Sequence, residues 1–277
     1  MIRAVEDDAD LGLCARIVGA VEEVAPSIEQ LRAVRERLLL DPAGGYAYVD
    51  HSSVPGSAYA MVRVLPEHRR GGIGTALVDA AAAAARELGC DSAWGCVRAG
   101  DEGSLLFAAS RGFREVGRDV ELTRRLMPGD GAVPAGIHEL QEEHRVGAYA
   151  VAVAAVPDMV TAGAPQARSF DEWVERELVG AAVAFVAVTG GAVVGYATLQ
   201  PMSDPARLEH GFTGVLPEHR RRGFATALGR AQIAWAAEHG YEGLVTTTGV
   251  SNTALRRQKA KLGYTEVDGP ILVRGPV

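Results

Sequence analysis

Cysteine is scarce in this chain, and its scarcity removes whole classes of protein. Cys14, Cys90 and Cys96 are the only three among 277 residues, an odd number with no zinc-type spacing. A disulfide scaffold is therefore not expected, nor a metal site, and the thiols read as structural residues of a reducing compartment. Long apolar runs are missing too. The alanine stretch Ala80–Ala85 is bounded by Asp79 and Arg86 and is too short to cross a bilayer. The opening MIRAVEDDADLG has no basic segment followed by an apolar core, the pattern of a secretory leader. Positive charge is in deficit: 28 Lys and Arg stand against 35 Asp and Glu, a net charge of −7. With no net basic field to displace counterions, nonspecific nucleic-acid binding is not expected. These absences predict a cytoplasmic protein with neither membrane nor nucleic acid as partner.

What is present is globular: 48% apolar and 23% charged residues, in a length that suits two domains. A duplication supports that division. VLPEHRRGGIGTAL begins at Val64, and VLPEHRRRGFATAL begins at Val215, 151 residues later. The same offset carries Glu87 and Gly89 to Glu238 and Gly240, and Gly112-Phe113 to Gly263-Tyr264. The expected domains are residues 1–129 and 136–277, joined by the Pro- and Gly-rich stretch Met127–Ala135. Each copy reads as a strand ending at the valine, a basic turn, an alanine-rich helix stopped by glycine, a strand (Asp91–Val97; Gly243–Thr248), a short helix and a last strand (Arg114–Thr123; Thr265–Val273). Upstream the copies diverge. Copy two has a strand at Gly136–Leu140, helices near Glu142–Ala155 and Ser169–Leu178, and a hairpin of Val183–Val188 and Val193–Leu199 turned by Thr-Gly-Gly. Copy one has a strand at Ile2–Val5, helices near Asp8–Val24 and Ser27–Leu39, then Tyr46–Val49. It is about 17 residues shorter here, so one strand is expected to be missing or reduced.

Chemistry concentrates in the basic turn. The segment Arg220, Arg221, Arg222, Gly223, Phe224, Ala225, Thr226 lies between a strand and a helix, as does Arg69, Arg70, Gly71, Gly72, Ile73, Gly74, Thr75. A helix start offers free N–H groups and partial positive charge. Glycine and alanine let a phosphate approach the backbone, and arginine adds donors. A solvated basic turn would explain one copy; two copies in the same context point to anion binding. Neither turn has the lysine of a P-loop or the third glycine of a dinucleotide fingerprint.

Arg-x-x-Gly-x-Gly/Ala after a Val-x-Pro strand end resembles the acyl-CoA loop of the GNAT N-acetyltransferase superfamily. The resemblance covers most of the chain as two tandem copies, a plan shared by mycothiol synthase-like enzymes. It implies an α/β fold of two GNAT-like domains, each a mixed, mostly antiparallel sheet flanked by helices, the N-terminal copy reduced. It also implies acetyl-CoA as cofactor and a small-molecule primary amine as acceptor. Whether the protein forms a homodimer is not legible. By the same resemblance the strand ends at Val64 and at Val215-Leu216 carry the cofactor, and a backbone N–H of Val215 or its neighbour meets the thioester oxygen. The family's general base, six residues before that valine, falls on Glu209. Strand alternation would set Glu209 on one face with Gly211, Thr213 and Val215, and His210 on the other as second candidate. The same count in copy one gives Ala58, so copy two is expected to be catalytic. Asn252 falls where the family binds cofactor, or it caps a helix. The tyrosine that protonates the leaving thiolate in many members is replaced by Lys259, and by Ala108 in copy one. The rival function is an acyl-CoA sensor or partner-binding module without turnover.

Overall fold

The computed structural model describes residues 1–22, 25–52, 54–158 and 168–277. In chain order the elements are β1 (Arg3–Ala4), α1 (Asp8–Gly19), α2 (Ile28–Arg32), β2 (Leu38–Asp41), β3 (Gly45–His51), β4 (Ser57–Val64), α3 (Ile73–Glu87), β5 (Ser92–Val97), α4 (Glu102–Ser110) and β6 (Arg114–Arg125). They continue with β7 (Ile137–Glu139), α5 (Arg145–Ala155), α6 (Phe170–Trp173), β8 (Val183–Thr189), β9 (Ala192–Pro201), β10 (Arg207–Val215), α7 (Phe224–Glu238), β11 (Gly243–Gly249), α8 (Thr253–Lys261) and β12 (Thr265–Pro276).

Two compact units result, and they are not the consecutive segments 1–129 and 136–277. The first holds Met1–Arg118 together with Pro270–Val277, and the second takes the described residues from Asp119 to Gly269. The reason is an exchange of last strands. In the first unit the strands run β1-β2-β3-β4-β5, and β5 then pairs antiparallel with Ile271–Pro276 of β12. In the second unit β7 to β11 lie in the order β7-β8-β9-β10-β11, and β11 pairs antiparallel with Asp119–Arg125 of β6. Each copy's final strand completes the other copy's sheet. Ile271 and Val273 are accordingly core residues of the first unit, packed with Val97.

Both sheets are mixed and flanked by helices, as expected. In the second unit Leu208, Leu244 and Tyr264 pack with Leu228 and Ala231 of α7 on one face. Val186, Tyr196 and Phe212 pack with Val151 of α5 and Trp173 on the other. The alanine spacing of α3 lets it lie close on its sheet: Ala81 and Ala85 meet Ala58 and Ala93.

Copy one does possess the hairpin. Helix α2 stops at Arg32, and Leu38–Asp41 forms β2, paired with β3. Leu38 and Leu40 are both buried, a period of two that the expected helix Ser27–Leu39 masked. The strand is reduced rather than missing, with four residues against seven in β8. Most of the loop Pro157–Ala167 lies outside the described residues. No helix among the described residues is long and apolar enough to cross a membrane.

Candidate functional site

The two basic turns have the same backbone. Arg69 and Arg220 are extended; Arg70 and Arg221 have φ of 63° and 59°; Gly72 and Gly223 have φ of 89° and 91°. Left-handed arginines are strained, and such strain persists where the surrounding structure over-determines it. Gly72 and Gly223 are the N-caps of α3 and α7, and neither cap makes a side-chain hydrogen bond. A Cβ at either glycine would meet nothing within 4 Å, so the backbone here faces open space. The result is a concave nest of amides at a helix N-terminus, the form that receives phosphate. Arg69 and Arg220 instead brace the turns, since each Nε donates to its own strand end, the carbonyls of Val64 and Val215, at 3.1 Å. Arg70 beside Gly71 and Arg221 beside Arg222 are exposed at the nests. Ile73, Gly74 and Thr75, like Phe224, Ala225 and Thr226, form the first helical turns, half-buried. Gln258 of α8 holds one such turn by donating to the Ala225 carbonyl at 2.9 Å.

Beside each nest a strand edge is left uncovered. β4 and β5 pair in parallel only over Ser57–Tyr59, and β10 and β11 only over Arg207–Glu209. Beyond that the strands splay. The N–H of Leu216 donates to Val194 on the β9 side, so alternation turns the N–H groups of Val215 and Thr213 into the splay. In the first unit the splay opens into a cleft of about 990 Å³ lined by Val64, Gly72, Thr75, Gly95, Ser104 and Phe107. That is the size of a pocket for a large cofactor.

A bulge distinguishes the copies. β10 shifts register by one residue between His210 and Thr213, while β4 pairs with β3 without interruption. This overturns two expectations. Alternation does not continue through β10, so Glu209 does not share a face with Thr213 and Val215. His210 lies on the α7 face, hydrogen-bonded to Gln232, and Val215 packs in the same α7-side cluster. Phe212 and Gly214 meet Tyr196 and Val151 on the opposite face, which is also the Glu209 side. Before the bulge the copies are offset by 150 residues, as Gly45-Tyr46-Ala47 and Gly195-Tyr196-Ala197 record in the sequence. The residue matching Glu209 is therefore Tyr59, not Ala58, and the residue matching His210 is Ala60.

Glu209 is half-buried, and burial, reinforced by the charge of Glu121, pushes its carboxyl above the usual range. His210 is 7% exposed. Gln232 gives its amide N–H to the Thr198 carbonyl at 2.8 Å, which turns its oxygen toward His210 Nδ1 at 3.0 Å. Nδ1 must then donate, leaving Nε2 to accept from the Tyr264 hydroxyl at 2.5 Å. Burial first and the charge of Lys259 second hold the imidazole well below the usual histidine range. Both ring nitrogens are engaged, so His210 is a fixed neutral partner. Lys259 is 2% exposed with its Nζ 4.8 Å from the centre of the Tyr264 ring, and burial pulls it down to about 7. Asn252 caps α8 by accepting from the Leu255 N–H and gives one amide N–H to Thr248 Oγ1. Sequence reasoning missed Gln232, Tyr264 and Glu121 as members of the site. They come from α7, the turn before β12, and β6, and only the fold brings them to β10.

In the first unit the same region is differently furnished. Burial pushes the Tyr59 phenol up to about 12. Arg63, which stands where β10 has Gly214, pairs with Glu22 at 2.6 Å, and Arg98 donates to the Val21 carbonyl at 2.7 Å. Glu22, Arg63 and Arg98 all line the cleft. All three cysteines are free, and no metal-binding group of His, Cys, Asp and Glu occurs among the described residues.

No curated protein matches the sequence. Among solved structures the chain is similar to a GCN5-related N-acetyltransferase from Sphaerobacter thermophilus, with a TM-score of 0.78 at 21% identity, covering 100% of this chain and 95% of that one. It is similar to a tandem GNAT protein from the clavulanic acid biosynthesis pathway, with a TM-score of 0.77 at 21% identity over 100% and 97%. A putative acetyltransferase from Pyrococcus horikoshii gives 0.64 at 15% identity over 100% and 89%. Residues 38–113 and 148–264 both match the model of the Acetyltransferase (GNAT) family, one stretch for each nest, and the chain belongs to that family as a tandem protein.

Proposed function

We propose that the chain is an acetyl-CoA-dependent N-acetyltransferase: its second unit transfers acetyl to the primary amine of a small molecule, and its first unit holds the same kind of cofactor without transferring from it. Family membership carries acyl transfer in general. The finer reading rests on one coincidence in the second unit, an uncapped nest, an uncovered strand edge and a half-buried Glu209 carboxyl side by side.

The nests suit a diphosphate, because their amides are uncapped and the space over the glycines is open. When bound, acetyl-CoA supplies an activated acyl carbon with a thiol leaving group. The chain supplies the rest. Gly223 and the first turn of α7 hold the diphosphate, with Arg221 and Arg222 as exposed cations. The N–H groups of Val215 and Thr213 face the splay as donors for a developing oxyanion. Glu209 takes the proton from the attacking amine, and its raised pKa makes it a better base than an ordinary carboxylate.

In the first unit the half-buried Tyr59, its phenol pushed up to about 12, is no base near neutral pH, and Arg63 of the Arg63–Glu22 pair occupies the place of Gly214. The open cleft there favours binding without transfer. The test is thiol release from acetyl-CoA across a panel of amines. Release with at least one amine is expected. Tight cofactor binding with no release for any amine would replace the enzyme with a sensor.

A further inference from the structure

We infer that the acceptor carries an ammonium group besides the amine that is acetylated, and that Glu121 is the specificity residue that reads it. The inference rests on the transfer reaction proposed above and narrows its acceptor to an extended dication. Glu121 belongs by sequence to copy one, and the exchange of last strands delivers it to the second unit. Register places it. Glu209 faces Val245 across β10 and β11, and Val245 faces Thr123 across β11 and β6. Glu121 lies two residues from Thr123 along β6, opposite Thr247. Paired residues share a face, so Glu121 stands on the Glu209 side of the sheet, away from α7. The pairing of β10 with β11 stops at Glu209, which makes exposed Thr247 the far lip of the splay. Glu209 and Glu121 therefore stand on opposite sides of the opening, both half-buried.

No cation among the described residues neutralises this pair. Arg125 and Arg207 share the face but lie back at the closed end of the ladder, both opposite Gly243, and neither forms an ion pair with Glu121 or Glu209. Glu177, whose carbonyl Gln200 holds on the same side, already has Arg168 at 3.4 Å. Burial and the charge of Glu121 act on Glu209 with nothing of opposite sign. One small ion does not relieve both carboxylates. Two strand spacings and two residues along the strand separate them by about 12 Å at the backbone, and no group of His, Cys, Asp and Glu among the described residues is set to hold a metal. A chain with an amine at one end and an ammonium at the other spans that distance, the amine at Glu209 and the ammonium at Glu121. Asp119, next on this face of β6, lies over Gly249 and continues the acidic line.

The first unit is an internal control. There the exchanged strand is β12, and Leu272 stands opposite Cys96 where Glu121 stands opposite Thr247. Tyr59 replaces Glu209, Leu272 replaces Glu121 and Pro270 replaces Asp119. The register itself accepts an apolar side chain, so the fold does not require an acid at this place. The acid accompanies the proposed base.

The test follows thiol release from acetyl-CoA by the full chain, with straight-chain diamines of increasing length, each against the monoamine of the same length. The best diamine should exceed its monoamine by about tenfold or more in kcat/KM, chiefly through KM, and the advantage should shrink as salt is added. Glu121→Gln should bring the ratio close to one, and Glu121→Asp, which keeps the charge, should retain most of it. The ratio cancels any effect of Glu121 on Glu209, which both acceptors share. Equal kcat/KM for diamines and monoamines in the wild type overturns the inference while leaving the transfer standing. So does a diamine preference undiminished in Glu121→Gln or indifferent to salt. Coenzyme A bound with no thiol released by any amine strikes the transfer reaction itself, a distinct result.

Discussion

Glu209 stands first at the residue scale, because its carboxyl is the proton acceptor proposed for the second unit, and Tyr59 stands in its place in the first. Glu209→Gln keeps the shape and removes the base. The expected loss is about 100-fold in kcat/KM or more. The acid limb of the wild-type pH profile, set by a carboxyl raised above 4.5, should vanish with it. Unchanged turnover from pH 6 to 9 would remove Glu209 from the mechanism. Lys259 makes a second prediction, about stability. Its folded pKa of about 7 lies below the 10.5 of an unfolded lysine. Between those values the unfolded chain holds more protons, so stability rises with pH, and below 7 this group adds no slope. From pH 7 to pH 9 it contributes about 2 kcal/mol. Denaturant unfolding at the two pH values should show that gain in the wild type and lose it in Lys259→Met. Glu209 acts with the opposite sign, but nearer its own range. A gain unaffected by Lys259→Met would place the titration elsewhere.

At the scale of elements, the nests were legible in the sequence because the same arginines and glycine recur before the same helix. The two turns share one backbone, down to left-handed Arg70 and Arg221. Valine at Gly223 or Gly72 meets no steric obstacle, yet must adopt a positive φ at about 1–2 kcal/mol. Each substitution should distort one nest and weaken cofactor binding there at least tenfold, with little change at the other. The bulge in β10 was not legible by counting from Val215, since one extra residue leaves the composition of the strand unchanged. Its trace lay in the step from a 151-residue to a 150-residue offset between the motif and Gly-Tyr-Ala. That step moves Tyr59 into the place of Glu209 and separates Glu209 from the face of Val215. The hairpin of copy one was hidden for another reason: Leu38-Leu39-Leu40 extends a helical pattern as readily as it begins a strand.

For the whole molecule, duplication was plain from the repeat, whereas the exchange of last strands was not. Periodicity marks β6 and β12 as strands without naming their partners, which long-range pairing alone decides. The exchange has a consequence for truncation. Removing Pro270–Val277 strips the first unit of the six residues paired beside β5, buried Ile271 and Val273 among them. The two side chains alone account for about 3 kcal/mol or more. Amides of β5 should then exchange faster with solvent, and cofactor binding in the first unit should fall, although the deleted residues are the last of copy two. Protection of β5 equal to that in the full chain would refute the exchange. Calorimetric titration of coenzyme A, paired with thiol release for the same samples, tests most directly whether one unit transfers while both bind. The expected result is two binding sites per chain, one site left by Gly72→Val with turnover retained, and one site left by Gly223→Val with turnover lost. Turnover that survives Gly223→Val and disappears with Gly72→Val would contradict it.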